Sequence, residues 1–311
     1  MQHKTLWLAM TAAIGFSTPV LAAPAIEYAG RVEVEAFSGE DESDITVATV
    51  ELGTEARLNE QLSGAVVLLY EKDDTDLEVD LATVTLALND RLSVTAGQDY
   101  MPFGVFNTYL VSDPLTLELA ETRATALKAD FVTGPLVTSL YTFNGPNADT
   151  EIDNWGATLG FEGERLAVSL GYIANLGDSD TLAAETISDE VPGVSVSASL
   201  LLGDFTFIGE YVAAQDEFQA GDGNADYAFT TAAEPSAAQL EVAYTRGPTS
   251  FAASLQETED AAVIGLPEKR WALGISHQVY ANARLALEWA ADEDYAGEET
   301  DAITAQLAVE L

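Results

Sequence analysis

Asn154-Trp155-Gly156-Ala157-Thr158-Leu159-Gly160-Phe161 alternates without a break. Trp155, Ala157, Leu159 and Phe161 fall on one parity; Asn154, Gly156, Thr158 and Gly160 fall on the other. Side chains of a β-strand point to opposite faces in turn, so this segment has one oily face and one small, polar face. A soluble sandwich also buries an oily face. What separates the two cases is the rest of the chain: the spacing of such segments, the lengths of their connections and the composition of the second face.

The alternation recurs in sixteen segments, predicted at 26–37, 44–58, 62–72, 77–88, 92–100, 123–131, 136–144, 154–162, 166–175, 194–202, 205–212, 237–246, 250–257, 270–280, 283–291 and 302–311. Most approach the ~9–11 residues that a tilted strand needs to cross a bilayer. Connections alternate between short turns such as Gly203-Asp204 and Ala281-Asn282 and long acidic stretches such as 101–122, 176–193, 213–236 and 258–269. The link at 73–76 is brief but falls on the long side. An even strand number with this asymmetry predicts an all-β fold. It is a closed antiparallel 16-stranded transmembrane β-barrel, porin-like, with short periplasmic turns and long acidic extracellular loops. Closure leaves no strand edge unpaired in hydrocarbon. In 77–88 the apolar parity switches between Leu81 and Val84, which predicts a β-bulge near Ala82 or Thr83.

The second face carries the decisive chemistry. Arg31, Glu33, Glu35, Glu51, Glu55, Arg57, Asp99, Lys128, Asp130, Glu210, Glu241, Arg284, Glu288 and Gln306 lie on the inward parity. Isolated charges are too costly for a dry core, whereas a sixteen-stranded wall encloses water. These residues are the pore-lining candidates. Tyr70, Tyr100, Tyr141, Tyr172, Tyr211, Tyr244, Trp271, Tyr280 and Trp289 cluster near strand ends, as interfacial girdles require.

Composition narrows the function. Asp plus Glu number 52 against 12 Lys plus Arg, a net charge of −40, so a nucleic-acid partner is excluded for want of a basic footprint. Acidic walls favour cations. There is no cysteine, hence no disulfide framework, thiolate nucleophile or Cys-ligated metal. His3 and Lys4 precede an apolar run over 6–16 and then Val20-Leu21-Ala22, which reads as a signal peptide of residues 1–22 with the barrel over 23–311; cleavage after Ala25 is the alternative. The outer membrane of a Gram-negative bacterium is the expected destination, with its lipid and lipopolysaccharide as surroundings. The mature chain's one histidine, His277, shares parity with Trp271, Leu273 and Ile275 and faces lipid, a poor place for a catalytic base. No catalytic residue, cofactor or resident metal is expected. The acidic runs 178–180 and Asp292-Glu293-Asp294 offer oxygens to Ca²⁺, but the twelve-residue Ca²⁺ loop pattern is absent and solvated acid is the favoured reading.

The connection 101–122 is more apolar than its neighbours and is expected to fold inward and narrow the pore, with Phe103, Asp113, Glu118, Glu121 and the adjoining Arg123 as constriction candidates. Asp113 before Pro114 is placed to cap a short helical turn.

The run Gln98-Asp99-Tyr100-Met101-Pro102-Phe103-Gly104-Val105-Phe106, the stretch from Ser112 to Arg123, Ile152-Asp153-Asn154-Trp155-Gly156-Ala157, Gly265-Leu266-Pro267-Glu268-Lys269-Arg270 and the terminal Thr304-Ala305-Gln306-Leu307-Ala308-Val309-Glu310-Leu311 resemble the LbtU family of siderophore porins. The resemblance covers nearly the whole mature chain. It implies an outer-membrane barrel that passes a ferric siderophore without a plug domain and independently of TonB. The plain alternative is a general cation-preferring diffusion porin for small hydrophilic solutes. Two features depart from the family pattern: the chain ends in Leu311 rather than an aromatic residue, and Ile26 follows the signal almost at once. Porins are often trimers, so a homotrimer is the assembly to test, although no interface is legible.

Overall fold

The computed structural model describes residues 25–40, 43–72, 75–145 and 152–311; the signal peptide reading at 1–22 lies outside them. Sixteen strands follow in chain order among the described residues: β1 (Ala25–Ser38), β2 (Ser43–Arg57), β3 (Leu62–Glu71), β4 (Thr75–Asn89), β5 (Leu92–Tyr100), β6 (Arg123–Thr133), β7 (Leu136–Phe143) and β8 (Asn154–Glu162). Then come β9 (Leu166–Ile173), β10 (Gly193–Leu202), β11 (Phe205–Ala214), β12 (Ser236–Arg246), β13 (Thr249–Glu259), β14 (Lys269–Tyr280), β15 (Ala283–Glu293) and β16 (Glu299–Glu310). Each pairs antiparallel with its sequence neighbours, and β1 closes on β16 with Val34 opposite Leu307 and Glu35 opposite Gln306. No strand is therefore left as a free edge among the described residues, which hydrocarbon demands.

The faces are reversed relative to a soluble protein. Trp155, Leu159 and Phe161 stand outside at 51%, 50% and 38% exposure, while Arg31, Glu51, Glu241 and Glu288 are within the wall's interior at 2–4%. Water cannot be the solvent for the outer surface, since an apolar band of this extent has no counterpart on soluble monomers. Trp155 and Tyr172 meet on that surface with ring centroids 5.1 Å apart, and Phe205 meets Tyr244 at 4.9 Å. Tyr141 departs from the expected girdle: it points inward, buried, into room left because Gly156 has no side chain.

Short turns gather at one end of the barrel. Gly203, at φ +64°, makes the tight β10–β11 turn that a Cβ would strain. The β4 bulge lies earlier than expected. Val67 faces Leu81 while Leu68 faces Val79, so Asp80 is the extra residue, and Leu81 turns inward with it. The parity of Val84 onward is thus already set before Ala82.

Long connections gather at the other end and pack on one another. Phe218 and Phe229 stack at 5.0 Å, and Asp222 accepts hydrogen bonds from the Ser188 N–H at 2.9 Å and hydroxyl at 2.7 Å, tying the β9–β10 connection to the β11–β12 connection. Leu176, Leu182 and Val191 join this apolar cluster, which continues down through Ile173 and Phe143 to Met101, Phe103 and Phe106. One side of the lumen is therefore filled.

Candidate functional site: the inward loop and the open half of the lumen

The connection 101–122 lies against the inner wall and visits its strands in order. Thr158 on β8 donates to the Pro102 carbonyl at 2.5 Å, and Ser195 on β10 accepts from the Gly104 N–H at 3.2 Å. Glu210 on β11 accepts from the N–H groups of Val105 at 2.6 Å and Phe106 at 2.8 Å. Gly104 at φ +87° and Phe106 at φ +54° turn those consecutive N–H groups toward one carboxylate, a backbone nest for an anion. On β12, Gln239 donates to the Asn107 carbonyl at 3.1 Å, while Glu241 accepts from the Thr108 hydroxyl at 2.6 Å and the Tyr109 N–H at 2.7 Å. Leu110 then drops into a hollow of Ala243, Ala252 and Ala272, where Gly274 leaves room. At the far end, Glu288 on β15 accepts from the Val111 N–H and from the Ser112 hydroxyl at 2.5 Å.

The return path is helical. α1 (Leu115–Ala120) packs over β11–β13 with Leu115, Thr116, Leu119 and Ala120 buried. Asp113 does not cap it. Pro114 occupies the N-cap without a side-chain bond, and the Leu115 N–H is accepted instead by Gln256 on β13 at 2.7 Å. Arg270 on β14 holds the Asp113 carbonyl at 3.3 Å while its guanidinium forks onto Asp292 through two 2.8 Å bonds. That bidentate geometry is the strong form of a charge-assisted pair. Phe103 is fully buried, Glu118 lies on α1, and the Glu121 carbonyl accepts from the Asp180 N–H at 2.8 Å.

Opposite the loop the wall is open. A cavity of about 100 Å³ separates Thr108, Leu110, Val111 and Asp113 from Arg31, Glu33, Glu35, Thr49, Glu71, Arg284 and Gln306. Arg31 is held by Glu51 at 3.2 Å, and Gln306 bridges Glu35 at 2.8 Å and Arg284 at 3.3 Å. No carboxylate stands within ion-pair distance of Arg284 among the described residues. Deeper along the wall, Lys128 pairs with Asp99 at 2.6 Å, Asp130 accepts from Ser139 at 2.6 Å, and Arg57 lies 3.9 Å from Glu55. Arg123 bonds Glu78 and, at 3.0 Å, Asp80.

The inward candidates thus fall into three sets. Glu210, Glu241 and Glu288 face the loop backbone; Arg31, Glu33, Glu35 and Arg284 face the cavity; Asp99, Lys128 and Asp130 lie on the wall beyond. Sequence reading overlooked Glu71, Asp80, Gln239, Gln256 and Arg270. Asp80 is hidden by the bulge, and Arg270 stands at the start of a predicted strand. Its inward parity was the available signal. The acidic run at 292–294 is divided among partners: Asp292 faces Arg270, Lys269 reaches Glu293 at 3.0 Å, and Asp294 accepts turn N–H groups from Ala296 and Glu298. Among the described residues no three carboxylates converge on a metal-sized point. His277, exposed on the outer face, shares a 2.8 Å hydrogen bond with the Thr249 hydroxyl.

Comparison with known proteins agrees with this geometry. A UPF0422 protein of Coxiella burnetii is 27% identical across 91% of this chain and 67% of its own length. A UPF0422 protein of Legionella pneumophila strain Paris is 24% identical across 91% of this chain, which spans only 61% of that relative. Among solved structures, Salmonella typhi OmpF in complex with daunomycin superposes with a TM-score of 0.69 at 12% identity, over 92% of this chain and 97% of that one. OmpT of Vibrio cholerae superposes with a TM-score of 0.62 at 13% identity, over 93% and 98%. At such identities the likeness is one of fold: the porin barrel. The family model described as Gram-negative porin matches residues 9–296, and the chain belongs to that family.

Proposed function

We propose that this outer-membrane channel is a cation-preferring diffusion pore whose narrowest passage lies between the loop 101–122 and the wall of β1–β3, β15 and β16. One observation carries the reading: among the described residues Glu33, Glu35, Glu71 and Asp113 line the cavity with two cations, Arg31 and Arg284, and Arg31 lies against Glu51 at 3.2 Å and Glu33 at 3.8 Å. Charge rings at a constriction set ion selectivity through Coulomb attraction at short range. On this reading the short turns face the periplasm, the long acidic loops stand among lipopolysaccharide, and 1–22 is removed on export.

The same residues bear on the solute. The resemblance to LbtU siderophore porins supports a ferric chelate, and an acidic constriction favours chelates that are cationic or neutral over trianionic ones. The loop residues Thr108, Leu110, Val111 and Asp113 border the same cavity, so small hydrated solutes are expected to pass more readily than a bulky chelate while the loop stays docked. The test is planar-bilayer recording of the purified protein in a salt gradient, with and without a cationic ferric hydroxamate. Cation-selective reversal potentials and partial block by the chelate are expected. Anion selectivity or zero conductance ends the pore reading; conductance indifferent to the chelate leaves a plain diffusion pore.

A further inference from the structure

We infer that Glu210, Glu241 and Glu288 are positioning residues that set the pore's aperture by clamping the loop, rather than wall charges that act on the solute. The inference rests on the pore reading above and adds a mechanism to it.

Three features support the clamp. First, the three carboxylates stand on β11, β12 and β15 and act purely as acceptors toward the loop. Their donors are the Val105, Phe106, Tyr109 and Val111 N–H groups and the Thr108, Ser112 and Thr116 hydroxyls, so they hold the loop from its first bend to its tip and again at α1. Second, those donors are mostly backbone groups. A loop laid on a wall has lost water on one side, and each buried N–H needs an acceptor there. A carboxylate accepts at both of its oxygens, whereas a side-chain amide accepts at one end and donates at the other. Third, the carboxylates are 2–5% exposed beneath the loop, so a passing solute does not touch them directly. The cavity acids Glu33 and Glu35 are engaged by wall groups instead, Glu33 by Arg31 at 3.8 Å and Glu35 by Gln306 at 2.8 Å. Charge on the wall is thereby divided between holding the loop and filtering the solute.

Release of the clamp moves the loop off the β11–β15 wall and changes the width of the passage it borders. Glutamine is the apt replacement: it keeps the shape but turns an NH₂ donor toward the loop's own donors. In purified protein whose barrel is verified by circular dichroism and heat-modifiable gel migration, the triple variant Glu210→Gln, Glu241→Gln, Glu288→Gln is compared with wild type. Two readouts apply. Hydrogen exchange at the Phe106, Tyr109 and Ser112 amides should accelerate at least tenfold while strand amides stay protected. Single-channel conductance should change at least twofold, with added current noise and a shifted size cut-off for neutral polyethylene glycols. Glu217→Gln, an exposed loop acid outside the clamp, leaves all of these unchanged. If the triple variant does not assemble, each single variant gives the same two readouts. Retained protection, or an unchanged polymer cut-off with only selectivity altered, overturns the clamp. A wild-type protein that never conducts sinks the pore reading instead, while the exchange experiment still decides whether the carboxylates hold the loop.

Discussion

Leu110 defines how closely the loop fits its wall. A Cβ added at Gly274 would stand 2.7 Å from Leu110 Cδ2, well inside van der Waals contact. Gly274→Val is therefore expected to overpack the contact by roughly 1–3 kcal/mol and to push Leu110 into the passage, lowering single-channel conductance in an otherwise intact barrel. Phe103, with no exposed surface, supplies the opposite test. Phe103→Ala leaves a cavity and should cost about 3–5 kcal/mol where the loop meets β9 and β10, read as earlier proteolysis of the loop than of the barrel. In the loop beyond β9, burial pushes the Asp178 carboxyl up to about 6, helped by the nearby Asp153 and Glu190 carboxylates and opposed by the Asn154 amide. A carboxyl whose folded pKa is raised binds its proton earlier when the loop is docked, so docking strengthens as pH falls from about 6 toward its ordinary 3.8 and weakens above that window. Protection of the Gly177 and Val191 amides, corrected for intrinsic exchange, should rise on acidification in wild type and lose that dependence in Asp178→Asn.

At the scale of elements, the strands and the loop are held by different forces. Strand pairing is a continuous ladder closed between β1 and β16, independent of what fills the lumen. Replacing residues 103–119 by a short Gly-Ser link should thus leave a sixteen-stranded barrel, with conductance raised several-fold as the passage widens. The loop depends instead on isolated wall side chains. Gln256 is the one that accepts the first helical N–H of α1, so Gln256→Leu leaves that donor without its partner. A loss of about 1–3 kcal/mol is expected, confined to the helix and visible as faster exchange at the Leu115 amide alone.

For the whole molecule the governing quantity is charge in a low-dielectric tube. A net charge of −40 makes the pore attractive to cations from a distance, and that attraction is screened by salt. The Debye length is about 10 Å at 0.1 M and about 3 Å at 1 M. Cation selectivity should accordingly fall steeply between those concentrations in reversal-potential measurements. Arg284, the cavity cation with no carboxylate at ion-pair distance among the described residues, should oppose it: Arg284→Ala is expected to raise cation preference at low salt and to have little effect at 1 M.

The barrel was legible in the chain itself. Period-two alternation and turn length are local properties, so the parity of Trp155 or Leu307 and the bounds of most strands, β5 and β8 among them, could be read along the sequence. What belongs to the space inside was not. The groups that join Glu210 and Glu288 to the loop come from residues between 94 and 177 positions away, and no local pattern records a contact of that span. Tyr141 turned inward because Gly156 left it room, the β4 bulge settled on Asp80, and Leu115 took its acceptor from Gln256 rather than from Asp113. Alternation decides which side of the wall a residue occupies; only closure of the wall decides which inward residues lie beneath the loop and which are left facing water.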